Sequence, residues 1–186
     1  SLATNHTLDR GETAILKSRE YWNKQNNVYA IGSYSSYDEK KELESKTFNK
    51  NGITYGILNY TYGTNGIPVP YGKDYLVNLW SDTDNYEEYK TTILKDIATL
   101  RNKVDILMVA MHWGIEYTHI PPVKVRETAK FLADSGVDII IGSHAHVIQP
   151  VEWIDNTLVI YSLGNFISAQ NSESCVSYKC NIGLMT

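Results

Sequence analysis

A chain of 186 residues, 42% hydrophobic and 20% charged, is large enough to bury a continuous core as a single domain spanning residues 1–186 without help from disulfides. No run approaches the roughly 20 apolar residues of a membrane span, so the chain as it stands is not expected to cross a bilayer. Its net charge of −4, with Lys and Arg scattered among Asp and Glu, offers no basic stripe to track a phosphate backbone, which excludes nucleic acid as an expected partner.

Taken in chain order, short apolar runs ending at polar or glycine-rich turns alternate with amphipathic segments, the pattern of helices packed on sheets. A helix is predicted over residues 12–23 after the Asp9-Arg10-Gly11 turn, and a short strand over 28–32. Residues 46–52 read as a hairpin whose Asn51-Gly52 feeds a strand over 53–60. Over 84–103 the residues Tyr86, Tyr89, Ile93, Ile97 and Leu100 recur at spacings of three and four, which sets one helical face toward a core. Ile106 to Met111 is a continuous apolar run, typical of a strand covered on both faces, and His112-Trp113-Gly114 follows at once. A second helix starts near Pro122 and stops at Ser135-Gly136. Strands over 137–141 and 158–162 complete the reading, the first running into Gly142-Ser143-His144-Ala145-His146, the second into Leu163-Gly164-Asn165. The fold class is therefore mixed α/β.

Four of the five histidines, His6, His112, His144 and His146, fall at or just beyond predicted strand ends or in a turn before a helix. That is where α/β sheets place ligands. One such histidine is more often a satisfied polar residue; four in equivalent positions reverse that balance. Imidazole nitrogen suits zinc, manganese and iron, and the His144-x-His146 spacing projects two rings from one loop. His119 lies past the main loop and is left outside this set. Fourteen tyrosines against three phenylalanines fit a cleft where rings meet polar groups, or simple compositional drift.

The order Asn5-His6, His112-Trp113-Gly114 and Gly142-Ser143-His144-Ala145-His146 resembles the later motifs of the calcineurin-like metallophosphoesterases, with Ser143 inserted in the last. The finer resemblance is to bacterial capsule synthesis proteins of the CapA type, linked with poly-γ-glutamate. It is carried by Ala3 to Asp9, Asn59 to Gly66, His112 to Tyr117, Ile141 to Pro150 and Tyr161 to Phe166. The resemblance implies a sandwich of two mixed β-sheets flanked by helices, and a metal site in which Asn5, His112, His144 and His146 are ligands. His6 then acts as acid or hydrogen-bond donor toward a leaving group, Asp9 either orients His6 or caps a helix, and Glu116 is a substrate-facing carboxylate or a solvated loop charge. The implied cofactor is a divalent metal, manganese, iron or zinc, with up to two ions in an intact domain.

The superfamily's first ligands come from Asp-containing motifs upstream of the Asn-His pair, so the chain reads as a fragment missing its N-terminal strands. CapA-type proteins carry an amino-terminal membrane anchor and work outside the cytoplasm; the resemblance implies an extracytoplasmic, membrane-anchored location through sequence absent here. The expected partners are an anionic polymer or phosphoester substrate and the membrane proteins of capsule synthesis. Two functions compete: a metal-dependent hydrolase or transferase in envelope polymer assembly, and a non-catalytic polymer-binding or assembly component. A phosphoesterase of the cytoplasm is a third. Residues 60–73, rich in turn chemistry, read as a cleft wall or an ordered connection. Residues 168–181 read as a surface excursion in which Cys175 and Cys180 are either a disulfide or two thiols.

Overall fold

The computed structural model describes residues 1–81, 86–170, 175 and 178–185, and the chain divides after Leu107 into two compact units. In the first unit, helix α1 (Gly11–Asn23) begins as predicted, with Gly11 at φ 67° where an L side chain would be strained and Glu12 in the first turn. A second helix, α2 (Tyr37–Glu44), was not expected: its mean composition is polar and only Glu44 is buried. It forms because Ser36 caps it, accepting from the Glu39 backbone N–H, and because Glu39 ties it to α1. Arg19, on α1 and 2% exposed, donates to Glu39 Oε1 from Nη2 at 2.9 Å, to Asn23 Oδ1 at 2.9 Å and to the Ala30 carbonyl at 2.7 Å.

Strands β1 (Phe48–Lys50) and β2 (Ile53–Thr61) make the predicted hairpin, paired Phe48 to Tyr55 and Lys50 to Ile53 around Asn51 at φ 55° and Gly52 at φ 84°. Those two positive φ angles are what an Asn-Gly turn supplies. The strand expected over 28–32 is not one. That stretch is irregular chain that bends at Gly32, its Ala30, Ile31 and Gly32 carbonyls accepting from Arg19, Leu2 and Asn78. Helix α3 (Tyr86–Arg101) buries Ile93, Ile97 and Leu100, the predicted stripe, and Leu100 lies against Gly56 of β2, where an added Cβ would meet its Cδ1 at 3.1 Å. Asp84, the start of the predicted helix, lies outside the described residues.

One side chain fixes the beginning of the chain. Asn59, fully buried on β2, accepts through Oδ1 from the Ala3 backbone N–H at 2.9 Å, from Leu2 at 3.1 Å and from the Ser1 hydroxyl at 3.0 Å. Gly32, at φ 93°, leaves room for it: a Cβ there would stand 2.1 Å from Asn59 Oδ1. Ala3, Leu8 and Ile15 then pack with Leu76 and Val77 in a buried cluster. The Asn5-His6 turn is thereby held between a polar anchor and an apolar one.

The division falls within β3 (Ile106–His112), which continues into the second unit with α4 (Val123–Asp134), β4 (Ile139–Ser143), β5 (Val151–Ile154) and β6 (Thr157–Ile160). Their order is β3-β4-β6-β5. The first three run parallel, with Ala110 beside Ile141, His112 beside Ser143 and Ile141 beside Ile160, and β5 pairs antiparallel to β6. The expected strand at 137–141 forms two residues later and the one at 158–162 ends two residues earlier, while β5 was not foreseen. Leu107, Val109 and Met111 alternate with half-buried neighbours along β3, and Val125, Thr128, Ala129 and Leu132 are the buried stripe of α4, flanked by Pro122 and Ser135 as predicted. Each unit is thus mixed α/β, with helices beside its strands.

The Arg19–Glu39 pair sets a pH dependence. Burial opposes charge on Glu39, but hydrogen bonds from Arg19, Asn23 and Ser35 outweigh it and hold the carboxyl down to about 2 from its ordinary 4.5. A lowered carboxyl stabilises the fold above its unfolded value and loses that contribution as pH falls toward the folded one. Glu39→Gln is expected to destabilise by about 2 kcal/mol at neutral pH. In urea unfolding, that difference from wild type should shrink as pH drops from 4.5 toward 2.

Candidate functional site

The parallel strands of the second unit deliver three imidazoles to their carboxyl ends. His112 closes β3, His144 follows β4, and His146 comes one residue after Ala145. The close fit there begins at Gly142, where a Cβ would stand 1.9 Å from the Tyr161 carbonyl oxygen and 2.6 Å from Trp113 Nε1. Trp113 donates from Nε1 to that same carbonyl at 3.0 Å. Two backbone hydrogen bonds fasten the loops together, Trp113 N–H to Ser143 at 3.2 Å and Tyr117 N–H to Ala145 at 2.7 Å.

The ring centroids of His112 and His144 are 4.8 Å apart, and those of His144 and His146 are 6.4 Å apart. His144 is buried; His146 is partly open. His112 Nδ1 is 2.9 Å from Ser143 Oγ, and His146 Nδ1 is 2.8 Å from Asn165 Oδ1. His146 Nε2 faces Glu116 Oε1 at 3.5 Å, and the ring of Tyr117 stacks on His146 at 5.5 Å and 18°. Both loop histidines occupy the left-handed region, His144 at φ 100° and His146 at φ 60°. Such angles cost a non-glycine residue free energy, and they cluster where function requires a side chain in that place. His119, outside the expected set, is engaged with the Ile148 carbonyl at 3.0 Å.

Cys175 and Cys180 form a disulfide, and with Ala145 and Val147 they make a small buried cluster against Tyr117. The Cys180 carbonyl accepts from Asn165 Nδ2 at 2.9 Å. The surface excursion at 168–181 therefore contributes structure beside His146. Residues 171–174, 176 and 177 of that excursion lie outside the described residues.

In the first unit, Asn5 and His6 sit in the turn before α1. His6 Nδ1 and Asp9 Oδ2 are 2.6 Å apart, and the hydrogen bond from His6 is the leading cause of a lowered Asp9 carboxyl. Asp9 is thus paired with His6, and no side chain caps α1. Asn65 joins them: its Oδ1 accepts from Asn5 Nδ2 at 2.9 Å, and its amide nitrogen lies 3.5 Å from Asp9 Oδ1. Asn65 and Gly66 form a tight turn with φ 52° and 76°, closed by Ile67 N–H to Thr64 at 2.9 Å. His6 lines a shallow pocket of about 200 Å³ with Arg10, Ser18 and Ser33. Of the 60–73 stretch, Tyr60 and Val69 line a separate cavity of about 360 Å³ with Lys40, Asp74 and Glu88.

The chain matches the family described as bacterial capsule synthesis protein PGA_cap over residues 1–170. It belongs to that family. It is 32% identical over 168 residues to the PGA biosynthesis protein CapA of Bacillus subtilis (strain 168), covering 90% of this chain and 42% of the relative. To the capsule biosynthesis protein CapA of Bacillus anthracis it is 27% identical over 176 residues, covering 91% of this chain and 40% of the relative. The chain therefore spans about two fifths of the curated relatives it matches. Its mixed α/β build is consistent with a metallophosphoesterase-like domain in this PGA_cap member.

The donors fit a borderline divalent cation by type: imidazole nitrogens and a carboxylate, with two Nδ1 atoms engaged by neighbours as metal-binding histidines usually are. Yet among the described residues no three His, Cys, Asp or Glu side chains stand together as a ligand set. The histidines stand out in the sequence, whereas Ser143, Asn165 and Asn65 do not announce themselves as their partners. Asn65-Gly66 was recognisable as a turn, whereas the Asn165 contact, 19 residues from His146, leaves no local signal.

The left-handed backbone at His146 makes a measurable claim. His146→Gly should be more stable than His146→Ala by about 1 kcal/mol, because glycine alone carries no Cβ penalty there. Guanidinium unfolding of the two variants checks this; equal stabilities would contradict the backbone assignment.

Proposed function

We propose that this PGA_cap member is the histidine-bearing part of a capsule synthesis protein that acts as a metal-dependent hydrolase or transferase on a phosphoester or another intermediate of envelope polymer assembly. The carrying observation is the grouping of His112, His144 and His146 at the ends of parallel strands, two of them on unfavourable backbone. The names of the Bacillus relatives supply the capsule context. His112, His144 and His146 would hold the ion. When bound, such an ion supplies Lewis acidity, drawing charge from a phosphoryl oxygen.

The protein's own groups do the rest. Asp9 Oδ2 accepts a hydrogen bond from His6 Nδ1–H, so Nε2 is the atom through which His6 gives or receives a proton. Glu116, beside His146, carries a carboxylate that orients a cationic or hydroxyl group of substrate. The disulfide and the capsule context fit work outside the cytoplasm, at the cell envelope. No helix among the described residues is long and apolar enough to cross a membrane.

A second reading, a non-catalytic component that holds polymer or partner proteins, draws on the lack of a three-residue ligand set among the described side chains. Metal content decides between the two. Elemental analysis of a longer protein containing this chain, after chelation and reloading, should find about two transition-metal ions, lost in a variant with His144→Ala and His146→Ala. No uptake of manganese, iron or zinc under any loading would leave the binding role standing alone.

A further inference from the structure

Two donated hydrogen bonds, one of them to a backbone carbonyl, orient the side chain of Asn165. Its Nδ2 donates to Gln170 Oε1 at 2.8 Å and to the Cys180 carbonyl at 2.9 Å. Both partners accept at those atoms, so the nitrogen faces them and Oδ1 is turned to His146 Nδ1, 2.8 Å away. Gln170 is in turn held by the Tyr117 hydroxyl, to which its Nε2 donates at 2.8 Å, and the Tyr117 ring stacks on His146. The carbonyl of Cys180 is set by a residue whose own side chain is fully buried in the disulfide cluster beside Ala145 and Val147.

An amide oxygen can only accept, so Nδ1 of His146 must carry the proton whether the ring is neutral or charged. In the neutral ring Nε2 is then a lone pair, and it faces Glu116 Oε1 at 3.5 Å. Two electron-pair donors confront each other there, an arrangement that favours a positive centre between them. The opposite tautomer would point two acceptors at each other across 2.8 Å, at Nδ1 and Asn165 Oδ1.

We propose that Asn165 is a positioning residue that holds His146 as its Nδ1–H tautomer, so that Nε2 is the nitrogen presented to an electrophile beside Glu116. The assignment rests on the reading of His146 as a working residue. It concerns Asn165 acting through His146, with Gln170 and the Cys180 carbonyl as its anchors. It also gives the disulfide-bearing excursion a task, since the loop brings Cys180 to Asn165.

The test is nitrogen-15 NMR of the histidine rings in chelated, metal-free protein at one fixed pH above the ordinary imidazole range of about 6.5. Signals are assigned by single-histidine variants. Wild-type His146 should show a protonated Nδ1 and an unprotonated Nε2. Asn165→Ala should lower the Nδ1–H to Nε2–H ratio at His146 about fivefold, the loss of one typical hydrogen bond. His112, whose Nδ1 is beside Ser143, should keep its signature and report that the fold is intact. An Nε2–H tautomer at His146 in the wild type overturns the proposal without recourse to any variant, as does an unchanged His146 in Asn165→Ala. Because no metal is present, a failure of metal uptake would count against the hydrolase reading and leave this result untouched.

Discussion

The second unit depends on how closely three chain segments meet at Gly142. Trp113, just past β3, reaches over the end of β4 to the carbonyl of Tyr161, just past β6, and passes through the space a Cβ would occupy. A single hydrogen-bonded indole thus locks the exits of three parallel strands. Because His112 precedes Trp113 and His144 follows Gly142 by two residues, locking the exits also fixes where those rings start. The rings are near each other for that reason, and the loops carrying them have little freedom left after Tyr117 pairs with Ala145. Burial of Trp113 and Tyr161 makes this junction part of the core as well as the floor of the site.

A comparable device operates in the first unit by different means. There the polar side chain of Asn59, enclosed beside a glycine, gathers the amides of residues 2 and 3 as another β-strand would. A buried carboxamide oxygen left without donors would be costly, so the start of the chain is stabilised by satisfying it. The turn that follows places His6 over Asp9 at 2.6 Å and lets Asn65 grip Asn5. Each unit therefore builds its histidines on a junction that tolerates no extra carbon atom.

What could be read in advance divides along physical lines. The stripe Ile93, Ile97, Leu100, the apolar run entering His112 and the turn Asn51-Gly52 are local signals, each produced by a period or a backbone angle encoded in neighbouring residues. Helix α2 escaped because its stability lies in a cap and in a pair with Arg19, 20 residues before Glu39, rather than in an apolar face. Strand β5 escaped because Val151 and Trp153 face outward, leaving no buried run to notice. Residues 28–32 carry apolar side chains yet form no ladder, since the carbonyls of Ala30, Ile31 and Gly32 accept from Arg19, Leu2 and Asn78. At the candidate site the histidines were legible from their places at strand ends. Their orienting partners were not, for Ser143 meets a ring 31 residues earlier and Asn165 one 19 residues earlier.

The left-handed angles at His144 and His146 bear on how this loop keeps its shape. Glycine at both places would relieve the backbone, but it would also remove the buried His144 ring from beside His112 and take from His146 its contacts with Asn165 and Tyr117. Backbone relief and ring contacts therefore oppose each other at these two positions, and glycine would add conformational freedom to the loop as it removed the strain. The loop's outline is thus a compromise between two local forces, one carried by the main chain and one by the rings.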